Sequence, residues 1–366
     1  MKPYIVIATI NELKNLEASR EEFMEKGAKL IIVDEGNAPM RARNARILQG
    51  INIEFYGPVE RALWFKDRFG INSERYLQVI PERAHAETSF GFLVAFEQGA
   101  DYVIELDDDV VPSSVIPGHS DNLFSNSGIT VASASKWYNT LESIRMSVPG
   151  TYFPRGHPYD PERRVESYFW KDEGGECVLN MGHWLGNPDF DAMTILYHGG
   201  MDGRCGIRGD ELRREKVIVD KGTYFAICSM NTSFRREVIP AFYQLYMNVM
   251  GVDRFDDIWS GIFIKRIADH LGHKICLGKP AVIHDKRPRS VFKDLKKEID
   301  GMVLNEILWK VADTDISGFS YSDAYLSLAD LLEKGIASLQ VEDYRRFMQL
   351  QVERMRLWVD IIDYLE

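Results

Sequence analysis

The stretch Tyr102–Ser114 reads YVIELDDDVVPSS, an apolar run that ends in Asp107, Asp108 and Asp109 before a proline. Like charges about 4 Å apart repel by roughly 1 kcal/mol per pair even in water. A divalent cation with phosphate ligands offsets that repulsion. Hard carboxylate oxygens suit Mg2+ or Mn2+, which take one or two protein carboxylates and complete their shell with water and phosphate. In such a D-x-D arrangement Asp107 faces a nucleoside and shares the cation with Asp109, while Asp108 shapes the turn beside the nucleotide. An acidic turn with no ligand is the alternative. His284, between PAVI and DKR, reads either as the imidazole of the same shell or as a structural hydrogen-bonding residue. Lys286, Arg287 and Arg289 follow it, as phosphate-neutralising cations or as an exposed basic loop.

Two further acidic pairs bear on the chemistry. Asp256 and Asp257 in RFDDIWSG precede an apolar helical stretch and read as an ordinary helix start with favourable dipole charge, or as carboxylates that hold sugar hydroxyls or a reacting guanidinium. Asp189 and Asp191 in NPDFDA offer the same roles, and Trp170 and Trp184 are either sugar-stacking faces or core.

These residues need a scaffold that brings strand ends together. Tyr4–Ile10 is a strand pattern, Glu12–Lys26 has helical periodicity closed by Gly27, and Lys29–Gly36 is a second strand. This is a βαβ unit and therefore the start of a parallel sheet. Ile51–Gly57 and Tyr102–Leu106 add strands, the second delivering the aspartates. Ligands of open parallel sheets gather at the carboxyl ends of the strands, which places Thr9, Asp34 and Glu35 on the same edge as the triplet. From about Ser113 to Asp220 periodicity weakens and Gly, Pro and aromatics abound, so a long functional loop region is expected there. Strand and helix return after Tyr224. From Lys293 the pattern is mostly helical, with Phe347, Leu350, Met355, Trp358, Ile361, Ile362 and Leu365 near helical spacing; a helical appendage packed on the main domain or against a second copy explains them. The reading is an α/β fold in residues 1–310 with a helical extension in 311–366.

Composition sets limits. Hydrophobic residues make up 45% and charged residues 27% of the 366, which is ordinary globular usage and excludes disordered and fibrous classes. A net charge of -11 disfavours a nucleic-acid surface. No stretch approaches the roughly 20 apolar residues of a membrane span, and four scattered cysteines read as reduced thiols in a cytoplasmic protein.

Several long segments carry a resemblance. NMGHWLGNPDFDA, CSMNTSFRREVIPAFY, RFDDIWSGIFIKRIADHLG and LKKEIDGM, with LDDD and YFPRGHPY, resemble the reversibly glycosylated polypeptides, a family that includes plant UDP-arabinopyranose mutases. The similarity runs from about Tyr4 to Trp309 and is densest between Gly182 and Met302. It implies a glycosyltransferase-A-like (Rossmann-like) mostly parallel sheet flanked by helices, a divalent metal at the aspartates, a UDP-sugar or other nucleotide sugar as ligand, and reversible glycosylation of Arg155. Arg163 or Arg164 corresponds to a second functional arginine. The segment Glu162–Cys177 is longer than the family's usual pattern, which leaves the sugar open. A protonated guanidinium is a poor nucleophile, so a carboxylate such as Asp191 or Asp256 is expected to orient Arg155 and take its proton. Three functions remain: a UDP-sugar mutase acting through Arg155, a metal-dependent glycosyltransferase with an external acceptor, or a non-catalytic sugar-nucleotide-binding scaffold that assembles through its C-terminal helices.

Overall fold

A computed structural model describes residues 1–366. The chain begins β1 (Pro3–Thr9), α1 (Arg20–Glu25), β2 (Lys29–Asp34), α2 (Ala38–Ile47), β3 (Asn52–Tyr56), α3 (Pro58–Phe69), α4 (Ser73–Leu77), α5 (Thr88–Glu97) and β4 (Tyr102–Leu106). It continues through β5 (Val110–Val111), α6 (Val115–Phe124), β6 (Ile129–Ser133), β7 (Ile144–Met146), β8 (Tyr168–Lys171), β9 (Leu179–Gly186), α7 (Ala192–Tyr197), β10 (Gly209–Leu212), β11 (Lys216–Val219) and β12 (Asn231–Arg235). It closes with α8 (Asp256–Leu271), β13 (Ile275–His284), α9 (Val291–Ala312), α10 (Tyr321–Ile336) and α11 (Glu342–Leu365). The strands form one mixed sheet with the path β3-β2-β1-β4-β12-β9-β13-β11-β6-β8. Its first four strands are parallel, and β12 enters antiparallel beside β4.

The parallel half is covered on both faces, which is why β1 and β2 are unbroken apolar runs. Ile5, Val6 and Ile7 are fully buried, and nearly every residue of α5 is too. Gly91 of α5 lets helix and sheet meet: a Cβ there would lie 2.3 Å from Val6 Cγ1. The path from β1 through α1 is shorter in helix than the sequence pattern suggests, because Lys14–Ser19 takes a tighter 3-10 turn before α1.

The region from Ser113 to Asp220 is not a long loop. It holds α6, α7 and six strands, β6 to β11. The hydrophobic period is hidden in β9, NMGHWLG, because the polar side chains of Asn180 and His183 are buried inside the sheet, and Asn180 is hydrogen-bonded there. Asn180 donates to the Lys279 carbonyl at 3.0 Å and pairs with Asn122, while His119 reaches Asn180, Asn231 and Ser233.

One core of 96 buried residues runs from Tyr4 to Ile362, so the last helices belong to it rather than to a separate body. A boundary at residue 310 would fall inside α9. Trp358 of α11 stacks on Tyr243 at 5.2 Å and donates from Nε1 to the Ile239 carbonyl at 3.1 Å. Phe347 packs on Trp259. The apolar stripe of α11 is thus accounted for within one chain. No helix is long and apolar enough to cross a membrane.

Candidate active site

The turn that follows β4 is stitched between two neighbouring strands. The Asp107 amide donates to the Met230 carbonyl at 3.1 Å, just ahead of β12, and the Asp109 carbonyl accepts from the Asp285 amide at 3.0 Å, just past β13. The three carboxylates consequently part company. Asp108 turns back to the β1 end, accepting from Thr9 Oγ1 at 2.6 Å and Asn11 Nδ2 at 2.9 Å. Asp107 and Asp109 face a cavity of about 280 Å³ that also holds Arg155, Asp189, Asp256, Asp257, His284 and Lys286. A second cavity of about 630 Å³ continues over Thr9, Asn11, Glu35 and Asn37, so the two form one groove along the sheet edge.

On the cation side, His284 lies with Nδ1 2.8 Å from the Asn187 carbonyl and Nε2 3.7 Å from Asp109 Oδ2. A carbonyl only accepts, so Nδ1 donates to Asn187, and Nε2 is the ring nitrogen left facing the carboxylate. Burial raises the Asp109 carboxyl, but His284, Arg287 and Arg289 outweigh it and hold it below its ordinary value. No three carboxylate, imidazole or thiol side chains are gathered closely enough to hold a metal by themselves. Asp109 and His284 face the cavity at its aspartate edge, with Asp107 beside them. Asp107 is also engaged elsewhere. Its Oδ1 lies 3.0 Å from His85 Nε2, while His85 Nδ1 lies 3.0 Å from Asp256 Oδ2. Desolvation opposes a charge on His85, yet the two aspartates raise it well above the ordinary imidazole value.

Lys286 is a buried cation of the site without a partner. It is 3% exposed, lines the cavity and makes no hydrogen bond or ion pair. Burial, with Arg289 nearby, lowers it to about 8. An ammonium in that position lacks an anion.

Arg155 sits at the other end of the cavity on the loop Tyr152–Arg164. Its guanidinium donates from Nε and Nη2 to Asp189 at 3.3 and 3.2 Å, and from Nη1 and Nη2 to Asp257 at 3.3 and 3.2 Å. Nη1 also donates to the Arg254 carbonyl, so all five N–H groups are used. Burial would lower its pKa, but the two carboxylates more than reverse that. The carboxylates differ. Burial raises Asp189, but Arg155 and Lys286 hold it down to about 2. For Asp257, burial together with Asp256 and Asp189 prevails over Arg155, and its carboxyl is raised. Gly156 lets the loop sit this close: it has φ +86, and a Cβ would lie 2.5 Å from Ile258 of α8.

The structure gathers Arg155, Asp107, Asp109, Asp256, Asp257, His284 and Lys286 around one cavity, and Thr9 and Asp108 along the second. Asp191 is not among them. It caps α7 by accepting from the Thr194 amide at 2.7 Å and accepts from Tyr159 Oη at 2.8 Å. Asp34 is fully buried beneath the groove, accepting from the Gly36 amide at 2.7 Å. The carboxylates on Arg155 are Asp189 and Asp257, in place of the expected Asp191 or Asp256, because the loop's Arg155 amide is bound to the Asp189 carbonyl at 2.8 Å and fixes which side chains the guanidinium meets. Arg163 donates to the Ser135 carbonyl at 2.9 Å, and Arg164 stacks over Tyr159 at 4.0 Å; both brace the loop that carries Arg155. Trp184 is core and Trp170 lies under Arg214 on the edge strand β8, so neither faces the cavity. His85, Arg83 and Arg254 line it without any pattern in PERAHAE or VDRF to mark them.

The mixed sheet with its parallel nucleotide-side half, flanking helices and ligand groove at the strand ends defines an α/β protein of glycosyltransferase-A-like architecture. Comparison with known families is more specific. The model of the family described as reversibly glycosylated polypeptide matches residues 3–364, and the chain belongs to that family. The match takes in α10 and α11, beyond the Trp309 limit of the motifs. UDP-arabinopyranose mutase 1 of Arabidopsis thaliana is 27% identical, covering 99% of this chain and 92% of the relative. UDP-arabinopyranose mutase 1 of Oryza sativa subsp. japonica is 28% identical, covering 99% and 90%. A protein of Solanum tuberosum named probable UDP-arabinopyranose mutase 2 is 30% identical, covering 82% and 74%.

Proposed function

We propose that this chain is a UDP-sugar mutase that works through reversible glycosylation of Arg155. The observation that carries the reading is the Arg155 guanidinium held by Asp189 and Asp257 in the cavity that also contains the unpaired Lys286 and the Asp109–His284 edge. The names of the relatives supply the substrate class.

The nucleoside of the donor lies along Thr9, Asn11 and Glu35, and its sugar reaches into the cavity of Arg155. Mn2+ or Mg2+ bound by Asp107, Asp109 and His284 would supply Lewis-acid stabilisation of the diphosphate charge. Lys286 adds a cation from the protein. As the anomeric C–O bond breaks, its electron pair leaves with the diphosphate, and an Nη of Arg155 forms the new C–N bond. The proton released from that nitrogen goes to Asp257, the carboxylate whose affinity for it is raised; Asp189, which stays ionised, keeps the guanidine aimed. The captured pentose opens and recloses on a different hydroxyl. Return of the proton from Asp257 restores Arg155 as a leaving group, and the diphosphate takes the sugar back in its other ring form.

Incubation with a UDP-pentose and Mn2+, followed by product chromatography, tests this. Interconversion of pyranose and furanose forms is expected, with a pentose adduct on the Arg155 peptide by mass spectrometry. Transfer or hydrolysis without ring change would favour a glycosyltransferase, and an adduct that survives Arg155→Ala would remove Arg155 from the mechanism.

A further inference from the structure

The two halves of the groove are separated by a strap, Pro81–Glu87, whose Arg83, Ala84 and His85 line both cavities. The strap is pinned along its length. The Arg83 amide donates to Glu35, which is also bound by the buried Arg61. Arg61 reaches Glu87 at 3.5 Å, and His85 spans Asp107 and Asp256. Arg83 itself has φ 54, a left-handed conformation that a residue with a long side chain rarely adopts. Such backbone persists where the surroundings over-determine it, and these cluster at ligand sites. Its guanidinium, exposed at the junction of the two cavities, makes no hydrogen bond and no ion pair although the edge below it is acidic. Lys286, unpaired as well, lines the sugar-side cavity with it.

We propose that Arg83 is a substrate-binding residue. Together with Lys286 it takes the diphosphate of the nucleotide sugar where the strap crosses the groove, so that the nucleoside lies on the Thr9 side and the sugar on the Arg155 side. This rests on the nucleotide-sugar reading above. It assigns the diphosphate a protein cation that is independent of the aspartate edge and that comes from a segment preceding β4. A guanidinium matches phosphate oxygens with two parallel N–H donors, which a lysine cannot reproduce.

Arg83→Gly isolates the side chain, because glycine adopts φ 54 without strain and keeps the amide that binds Glu35. Calorimetry with UDP and with uridine, both in saturating Mn2+, reads the effect. Arg83→Gly is expected to weaken UDP at least tenfold and to leave uridine unchanged, and Arg83→Lys to recover part of the UDP loss. UDP affinity within twofold of wild type in Arg83→Gly would overturn this assignment and leave the nucleotide-sugar reading standing. Equal weakening of uridine would overturn it too, since the strap rather than the diphosphate contact would then be at fault. A wild-type chain that binds no nucleoside diphosphate would overturn both.

Discussion

Replacing Asp257 by Asn should separate chemistry from stability, because the two carboxylates on Arg155 are electrostatically unlike. Asp257 accepts from Nη1 and Nη2 at 3.3 and 3.2 Å and from the Ser229 amide at 3.3 Å. Asparagine keeps one acceptor oxygen and the shape but cannot take a proton. The charge removed is one that burial, Asp256 and Asp189 already disfavour. The clamp then retains one anion, Asp189, for one cation. Stability is therefore expected to hold to within about 1 kcal/mol, the scale of one net hydrogen bond. Loss of a positioned base costs about 10²–10⁴ in rate, or about 2.7–5.4 kcal/mol of barrier. Asp189→Asn should behave in the opposite way. Its carboxyl is held from an ordinary 3.8 down to about 2, and at about 1.36 kcal/mol per pH unit that depression is worth roughly 2 kcal/mol of folding free energy at neutral pH. Rapid-quench single turnover with intact-mass detection of the sugar adduct, alongside thermal melts, measures both. Asp257→Asn is expected to form adduct at least 100-fold more slowly at an unchanged melting temperature. Asp189→Asn is expected to melt lower. Adduct formation by Asp257→Asn within threefold of wild type would refute the assignment of the proton to Asp257.

Three further outcomes follow from the same geometry. Asp109→Ala removes the carboxylate that faces Nε2 of His284, so the Mn2+-dependent part of UDP binding should vanish in calorimetry; unchanged affinity would exclude Asp109 from a cation site. Three imidazoles are buried neutral: burial lowers His119 to about 4, and His157 and His183 to about 3. Below an unfolded value near 6.5 the unfolded chain binds protons that these rings refuse in the fold, so their contribution falls as pH drops toward the folded values by roughly 4 kcal/mol per pH unit, of which Glu87, raised to about 9, and Glu105, raised well above its ordinary value, offset roughly 3 because the folded chain holds their protons. The three rings should therefore stay neutral imidazoles in NMR titration down to about pH 5, and a ring that titrates near 6.5 would contradict its burial. Trp358→Ala should cost about 3–5 kcal/mol in denaturant unfolding, because the ring stacks on Tyr243 and its Nε1 donates to Ile239; a loss under 1 kcal/mol would make α11 an accessory to the fold.

What could be read from the residues followed how each segment is buried. Strands β1, β2 and β4 announce themselves because a parallel sheet covered on both faces favours apolar side chains, Glu105 of β4 being the buried exception held by Gln244, and the carboxyl ends of such strands locate the aspartates. The stripe on α11 was equally plain, since Phe347, Met355, Trp358 and Ile362 repeat at helical spacing on one buried face. Strand β9 escaped because Asn180 and His183 sit where apolar residues would mark a strand, the first held by partners from α6 and β13. The clamp on Arg155 escaped for a different reason. Asp189 and Asp257 lie 34 and 102 residues from it in sequence, and no local pattern distinguishes them from Asp191 and Asp256, their neighbours in the same short motifs. Which member of each acidic pair meets the guanidinium is decided by helix starts. Asp191 is spent capping α7, and Asp256 turns to His85. Neighbouring carboxylates at a helix start point in different directions, so only one of each pair meets the guanidinium. The same division acts on the aspartate triplet, where Asp108 secures Thr9 and Asn11 and frees Asp107 and Asp109 for the groove. An acidic run is thus a statement of supply, and the backbone's demand for caps and turn acceptors determines which of its members remain for chemistry.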